Sequence, residues 1–470
     1  MADPKIVIVG AGPTGLGAAW RLHERGYENW LLVEQAPYAG GLAASIVDEK
    51  GFTWDLGGHV QFSHYEYFDN LMDTLLGPDG WLYHERESWV WVRGRFVPYP
   101  FQLNIRRLPR PELKECLLGL VRLYRNGNSR KPANFAEWID ATFGEGIAKV
   151  FMRPYNFKVW AYPLEELGTS WVGERVAVVD LERVLSNVLD DRDDVSWGPN
   201  NTFRFPKFGG TGAVWRACAE RLPREKQCYG TRLVAVDPQR RILTLADGRQ
   251  LSYDLLLSTI PITELTRIAG LDALHERAKR LRYSSTHVFG IGLQGSPPDH
   301  LQKKCWMYFP EDDNPFYRVT VFSNYSPNNV PDINHYWSLM AEVSESPMKP
   351  VPPTEEERIE EVIQGMLATR LIASRDQIVD IWYRRLEHGY PTPTTERDAV
   401  IYDVIPALEK YGIYSRGRFG AWRYEVSNQD HSLMQGVEWV DRMFDGAEEL
   451  TLWHPEIVNR THRPAVKTNG

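Results

Sequence analysis

Cysteine is scarce in this sequence: Cys116, Cys218, Cys228 and Cys305 are the only four in 470 residues. No two stand at a C-x-x-C spacing, which argues against a zinc site or a redox pair, and no metal is expected. Four scattered thiols in so long a chain suit a reducing compartment. No run of 18 apolar residues occurs, so no membrane span is expected. The first apolar run, residues 6–9, enters a glycine loop directly and leaves no room for a signal peptide. The cytoplasm is the expected location. Excess positive charge is missing too: 54 Lys and Arg face 62 Asp and Glu, for a formal net charge of −8. That balance argues against nucleic acid or an anionic membrane as the main partner. An anionic substrate would need locally placed cations.

Aromatic residues are plentiful, with 17 Trp and 22 Tyr. Most of them belong in cores, and some could form flat walls for sugars and heterocycles. The length allows two or three lobes. Residues 5–9 read as a strand, 13–25 as a helix and 31–34 as a second strand, a βαβ unit that implies a parallel sheet. Residues 110–189 have helical character, with examples at 112–118 and 135–139. Residues 234–237, 242–245 and 251–258 read as strands, with a tight turn at Asp247-Gly248. Sheet is expected again at 305–322, helix at 355–371, and a loose tail over the last ten residues.

The segment Gly10-Ala11-Gly12-Pro13-Thr14-Gly15 lies between that first strand and helix. Gly10 permits a tight turn, Gly12 lets the backbone approach a pyrophosphate, and Gly15 lets the helix pack on the sheet. Pro13 and Thr14 open the helix, whose free N–H groups favour phosphate. Glu34 ends the second strand where a ribose-binding acid belongs. Gly40-Gly41 and the second glycine turn, Asp55-Leu56-Gly57-Gly58-His59, favour FAD over NAD. Gly209-Gly210-Thr211-Gly212 reads simply as a helix start.

Longer motifs carry a family resemblance. They include residues 55–65, 97–102 (Val-Pro-Tyr-Pro-Phe-Gln), 152–160 (Met-Arg-Pro-Tyr-Asn-Phe-Lys-Val-Trp), 173–177, 316–318, 388–393 and 417–432. Together they resemble the UDP-galactopyranose mutases, particularly the eukaryotic (fungal) type, over nearly the whole chain. The resemblance implies an α/β fold: a Rossmann-like FAD-binding domain, an inserted helical domain and an antiparallel β-sheet domain. The expected segments are 1–90 with 205–270 and 410–470 for FAD, 106–195 for the helices, and 91–105 with 271–409 for the substrate sheet. It further implies a redox-neutral isomerase interconverting UDP-galactopyranose and UDP-galactofuranose on reduced FAD, through a covalent flavin N5–sugar adduct.

On the same resemblance, Arg175 and Arg318 hold the diphosphate, and His59 lies against the flavin. Tyr308, Tyr390 and Tyr424 bond the pyrophosphate, and Tyr99 and Gln102 recognise uracil. Asn156, Trp160, Asn200, Tyr325, Phe62 and Asn428 belong near substrate. Gly10, Gly12, Pro13, Thr14, Gly15, Glu34, Gly41, Gly57, Gly58, His59, Arg418, Asn428, Gln429 and Ser432 belong to the FAD site. Arg86 and Ser88, with Arg418, match positions implicated in binding NADPH as reductant; no second complete glycine fingerprint exists for a separate nicotinamide domain. Gly168 and Gly173 bracket a segment that could close over substrate. The short connection between Pro327 and His335 departs from fungal members, so their assembly states do not transfer. Three alternatives stay open: an amine-oxidase or protoporphyrinogen-oxidase-type enzyme, a non-catalytic nucleotide sensor, and a mutase for another nucleotide sugar.

Overall fold

Four consecutive apolar residues, Ile6–Val9, form a strand that is almost wholly buried, as a strand covered on both faces must be. The computed structural model describes residues 3–127, 131–196, 198 and 201–460. Ile6–Val9 is the centre of a five-stranded parallel sheet, flanked by Leu255–Ser258 and Trp30–Val33, with Ile413–Ser415 and Gln227–Cys228 at the edges. Its strands come from three separated stretches of chain, so the dinucleotide fold is interrupted by insertions.

Helix Pro13–Glu24 covers one face of this sheet together with Gln429–Asp445 and Gly212–Arg221. Small residues let the first two helices meet backbone to backbone. A Cβ on Gly436 would stand 2.0 Å from the Thr14 carbonyl oxygen, and one on Gly17 would stand 2.5 Å from that of Leu433. The Gln429–Asp445 helix is thereby docked onto the first, with its amino end, at Asn428, brought to the glycine-rich side of the sheet.

A second sheet has seven strands, in the order Ile378–Thr392, Arg282–Gln294, Tyr336–Glu345, Arg318–Val321, Trp306–Tyr308, Ser88–Val92 and Arg95–Pro98. It is antiparallel except where Trp306–Tyr308 runs parallel to Ser88–Val92. The helical part contains Arg110–Asn126, Phe135–Ile147, Arg153–Trp160 and Leu181–Leu189. Asn134 and Asp180 cap two of these by accepting from Glu137 N and Arg183 N, as short polar residues at N-caps do.

Two sequence expectations need correction. Residues 251–258 are not one strand: Gln250–Ser252 pairs in a three-stranded meander, and Leu255–Ser258 joins the parallel sheet. The chain turns at Tyr253-Asp254, where two donations to the Lys5 carbonyl fix the change of direction. Residues 305–322 form two short strands with an irregular connection rather than continuous sheet. Residues 461–470, expected as a tail, lie outside the described residues. Among the described residues no helix is long and apolar enough to cross a membrane.

Gly436→Ala should cost about 1–3 kcal/mol, as overpacked contacts do. Urea unfolding would show this as a lower midpoint at unchanged m-value, and an unshifted midpoint would contradict the close helix contact.

Candidate active site

The cavity is assembled where the parallel sheet, the seven-stranded sheet and the helices meet. At the glycine fingerprint, Gly10 adopts φ +106°, and a Cβ on Gly15 would fall 1.8 Å from the Gly10 carbonyl oxygen. Both positions are closed to side chains by the protein itself. Gly12 differs: a Cβ there would make only ordinary van der Waals contact, with Gly41 Cα at 3.8 Å and Gly40 O at 3.9 Å. Pro13 and Thr14 occupy the first helical turn, and no side chain caps the helix at Gly12. Glu34 closes the turn, its carboxylate accepting from Ala11 N and Ala36 N at 2.7 Å each. An ionised carboxylate has about four acceptor sites, so capacity remains for a ribose hydroxyl.

Gly57 (φ +132°) and Gly58 pass directly over Arg318 and Glu342. A Cβ on Gly58 would be 3.0 Å from Arg318 Cζ, and one on Gly57 would be 3.4 Å from Glu342 Oε1. His59 follows, its Nδ1 buried without a hydrogen-bond partner. Burial pulls its pKa down to about 4; Arg318 and Arg418 act in the same direction and Glu342 opposes. The imidazole is therefore neutral at physiological pH. Gly209–Gly212 does more than start a helix: Gly210 and Gly212 admit Asp55 and Ser45, and the Asp55 carboxylate accepts from Thr211 N at 3.1 Å. This locks the second glycine turn to the Gly212–Arg221 helix.

Arg318 stands directly opposite Glu342 in the antiparallel pairing of their strands. Glu342 takes Nε and Nη2 of the guanidinium, the latter at 2.8 Å, and also accepts from Tyr317 Oη at 3.1 Å. Among the described residues Arg175 has no carboxylate partner: Nη1 donates to Asn428 Oδ1 at 2.9 Å, and Nη2 donates to the Glu425 carbonyl at 2.8 Å. Arg418 likewise donates only to neutral oxygens, Gly389 O at 3.0 Å and Ser427 Oγ at 2.8 Å. Its pKa is lowered by burial, and the neighbouring Arg175 charge adds to that.

Rings connect these cations. Tyr317 and Tyr390 have centroids 6.3 Å apart, and Tyr390 and Tyr424 are 5.9 Å apart. Arg418 lies 4.9 Å over Tyr390, and Arg175 lies 5.4 Å over Tyr424. Trp160 stands edge-on to Tyr424 at 4.8 Å with its indole N–H buried and unpartnered. Toward the other end, Tyr308 contacts Tyr99 at 5.2 Å and Tyr155 at 5.1 Å, and Arg86 lies 5.4 Å from the Tyr99 centroid. Gln102 is buried, donating Nε2 to Ala177 O at 2.5 Å and leaving Oε1 without a donor. Ser88 Oγ is also buried and unpartnered. Thus Arg175, Arg318, Arg418, His59 and the tyrosines line one continuous region.

Other expected residues are committed to internal contacts. Asn156 Nδ2 donates to Met152 O at 2.7 Å. Gln429 Oε1 accepts from Gln61 and Trp215, which leaves its backbone at the helix start to face the cavity. Ser432 N donates to Asn428 O within that first turn. Phe62 stands edge-on to His64 at 5.8 Å. Tyr325 packs into a separate aromatic cluster with Phe203, Phe205 and Phe322. Asn200 lies outside the described residues. Gly168 is a poor hinge, because its N–H is bonded to Pro393 O at 2.8 Å; Gly173, with nothing within 4 Å of a Cβ, is the looser point.

The sequence reading missed Glu342, Tyr317, Glu425 and Asp430. A charged residue in the apolar strand 336–345 was the available signal for Glu342. Asp430 holds two imidazoles, with His64 Nδ1 at 2.7 Å and His431 Nδ1 at 3.1 Å. Among the described residues these three form the one His/Cys/Asp/Glu group close enough to hold a metal. His64 and Asp430 are hydrogen-bonded, whereas the His431 Nδ1 and Asp430 Oδ1 atoms lie close without a hydrogen bond.

A family model for an NAD(P)-binding Rossmann-like domain matches residues 8–75. A crystal structure of reduced UDP-galactopyranose mutase is 53% identical, covers 98% of each chain, and superposes with a TM-score of 0.95. The chain belongs to the UDP-galactopyranose mutase family. More distant likenesses show the fold alone. One is a protoporphyrinogen oxidase candidate from Exiguobacterium sp. 255-15, at 18% identity, 94% and 99% coverage and TM-score 0.73. Another is putrescine oxidase bound to putrescine, at 16% identity, 94% and 99% coverage and TM-score 0.63. Within the mutase family the residues here fit a bound dinucleotide: a helix start at Gly12 with no side-chain cap, an uncapped amino end at Asn428, and His59 with a nitrogen to spare.

The sign of the His59 effect follows from its lowered pKa. Above pH 6.5 the imidazole is neutral in folded and unfolded chains alike. Between about 6.5 and 4 only the unfolded chain gains the proton, so stability falls as pH drops through that window. Thermal unfolding between pH 7.5 and 4.5 should therefore show a smaller acid loss in His59→Gln than in wild type. Identical slopes would place the imidazole in solvent.

Proposed function

We propose that this mutase interconverts UDP-galactopyranose and UDP-galactofuranose on reduced FAD. The observation that carries the reading is electrostatic. Arg175 and Arg418 enter the cavity with no counter-carboxylate, and Arg318 joins them along a row of tyrosines. Enclosed cations held only by neutral oxygens suit an anion, and guanidinium forks suit phosphate oxygens. An amine substrate offers no anionic group to meet them, which disfavours the amine-oxidase alternative.

The diphosphate is held by Arg175 and by the Nη1 edge of Arg318. Tyr308 and Tyr390, whose hydroxyls burial keeps protonated, donate to it, and Tyr424 joins them. Tyr99 stacks on uracil, and the unpaired Gln102 Oε1 accepts from the base edge. Trp160 and Asn156 border the sugar, with Phe62 and Tyr325 further out. When bound and reduced, the flavin would supply N5 as a nucleophile toward the anomeric carbon, with His59 and the glycine turn at Gly57 and Gly58 beside it. Neutral His59 presents no competing cation there. The arginines keep the departed UDP beside the sugar for its return. We further assign reduction to NADPH entering the same cleft, held by Arg86, Ser88 and Arg418.

Under anaerobic conditions with dithionite, UDP-galactofuranose should yield UDP-galactopyranose, and none should form with oxidised flavin. Net oxidation of the sugar would indicate an oxidase; absence of turnover would indicate a sensor. Arg175→Ala should lower turnover roughly 10²–10³-fold, the range for lost charge-stabilising donors, and raise the UDP dissociation constant. Full activity would remove Arg175 from the grip. We also assign the segment carrying Arg175 to closure over substrate, hinged at Gly173. Gly173→Val should slow turnover in stopped-flow, and unchanged kinetics would rule out that hinge.

A further inference from the structure

Three buried arginines outside the cavity show how this protein normally treats such groups. Arg397 is paired bidentately with Glu425, Arg416 with Glu449, and Arg423 approaches Glu425 at 3.5 Å. The cavity arginines break that pattern, except Arg318. A carboxylate beside an anion site weakens it, because it neutralises a cation the ligand would otherwise meet. Glu342 nevertheless stands there with 2% of its surface exposed.

Its geometry supplies a reason. Arg318 and Glu342 are directly opposite on paired strands, so their side chains emerge on the same face. Glu342 occupies the Nε and Nη2 edge of the guanidinium, and Nη1 has no partner among the described residues. Tyr317 Oη holds the carboxylate from a second direction at 3.1 Å. Gly57 and Gly58 close over the pair so tightly that a Cβ on Gly58 would meet Arg318 Cζ at 3.0 Å. The guanidinium plane is thereby fixed between the glycine turn and the strand, with one edge left for a ligand. Burial alone would raise the Glu342 pKa, yet the Arg318 charge holds it below the usual range, so the carboxylate is ionised.

We propose that Glu342 is a positioning residue that aims the Nη1 edge of Arg318 at the diphosphate, giving up ground-state affinity for orientation. The inference rests on the assignment of Arg318 to the diphosphate grip. Glu342→Gln retains the shape but removes the charge and one acceptor. Arg318 then meets UDP with its full charge and a looser plane. UDP titrated into the oxidised holoenzyme should bind as tightly as in wild type or more tightly. Turnover by the dithionite-reduced enzyme should fall about 10²-fold, the penalty for misplacing a reacting group's partner by an ångström. Arg318→Ala, by contrast, should lose both UDP affinity and turnover.

Glu342→Asp keeps the charge and cannot reach both nitrogens. It should show reduced turnover at wild-type UDP affinity, and it carries the test if the Gln variant does not retain flavin. Wild-type turnover in Glu342→Gln would overturn the inference. So would weakened UDP binding in step with turnover, since that marks a support for folding rather than an aiming device. If Arg318→Ala itself binds UDP and turns over normally, the diphosphate grip fails at its root. If only the Glu342 variants behave as wild type, the grip stands and the aiming role alone is lost.

Discussion

A guanidinium taken out of water must find an oxygen, and most of the site's architecture follows from how that demand is met. Removing one partner of a buried ion pair typically costs about 3–5 kcal/mol, so an unpaired buried arginine is a standing liability. Away from the cavity this protein gives Arg397 and Arg416 their own carboxylates. Inside it, Arg175 and Arg418 are given only carbonyl, amide and hydroxyl oxygens. Their charge is left available in a chain whose overall sign is negative. On the proposed reading, affinity for a diphosphate comes from a local deficit of counter-ions rather than from a global field.

The positions of those cations depend on close backbone contacts. Gly436 and Gly17 let the Gln429–Asp445 helix lie on the first, and this carries Asn428 to Arg175. Gly57 and Gly58 let the second glycine turn rest on Arg318 and Glu342. Gly210 and Gly212 let Ser45 and Asp55 tie that turn to another helix. Each is a point where one added carbon would push neighbouring protein atoms out of place. The tyrosines then fill the gaps between cations with rings that tolerate both apolar neighbours and polar tips.

Local patterns were readable where the chemistry is local. The βαβ unit at residues 6–33 and the helices at 110–126 and 135–147 follow from apolar periodicity and glycine placement. The change of sheet at Tyr253-Asp254 was hidden, because apolar residues flank it on both sides and only the bonds to Lys5 distinguish the two strands. Gly168 was expected to bracket a lid largely by family resemblance; its hydrogen bond to Pro393 is a contact across 225 residues of chain, visible only after folding. Glu342 was overlooked for the same reason, since its partner lies on the neighbouring strand.

By itself, then, the sequence determined the presence of a dinucleotide-type turn, the interrupted parallel sheet, and the long motifs that mark the mutase family. Those depend on backbone geometry and residue order over short spans. Only the tertiary structure decided which arginines share a cavity, which of them carries a counter-charge, and which glycines are filled by protein rather than open. Charge compensation and steric closure are pairwise properties of residues far apart in the chain, and they come into being when the sheets and helices pack.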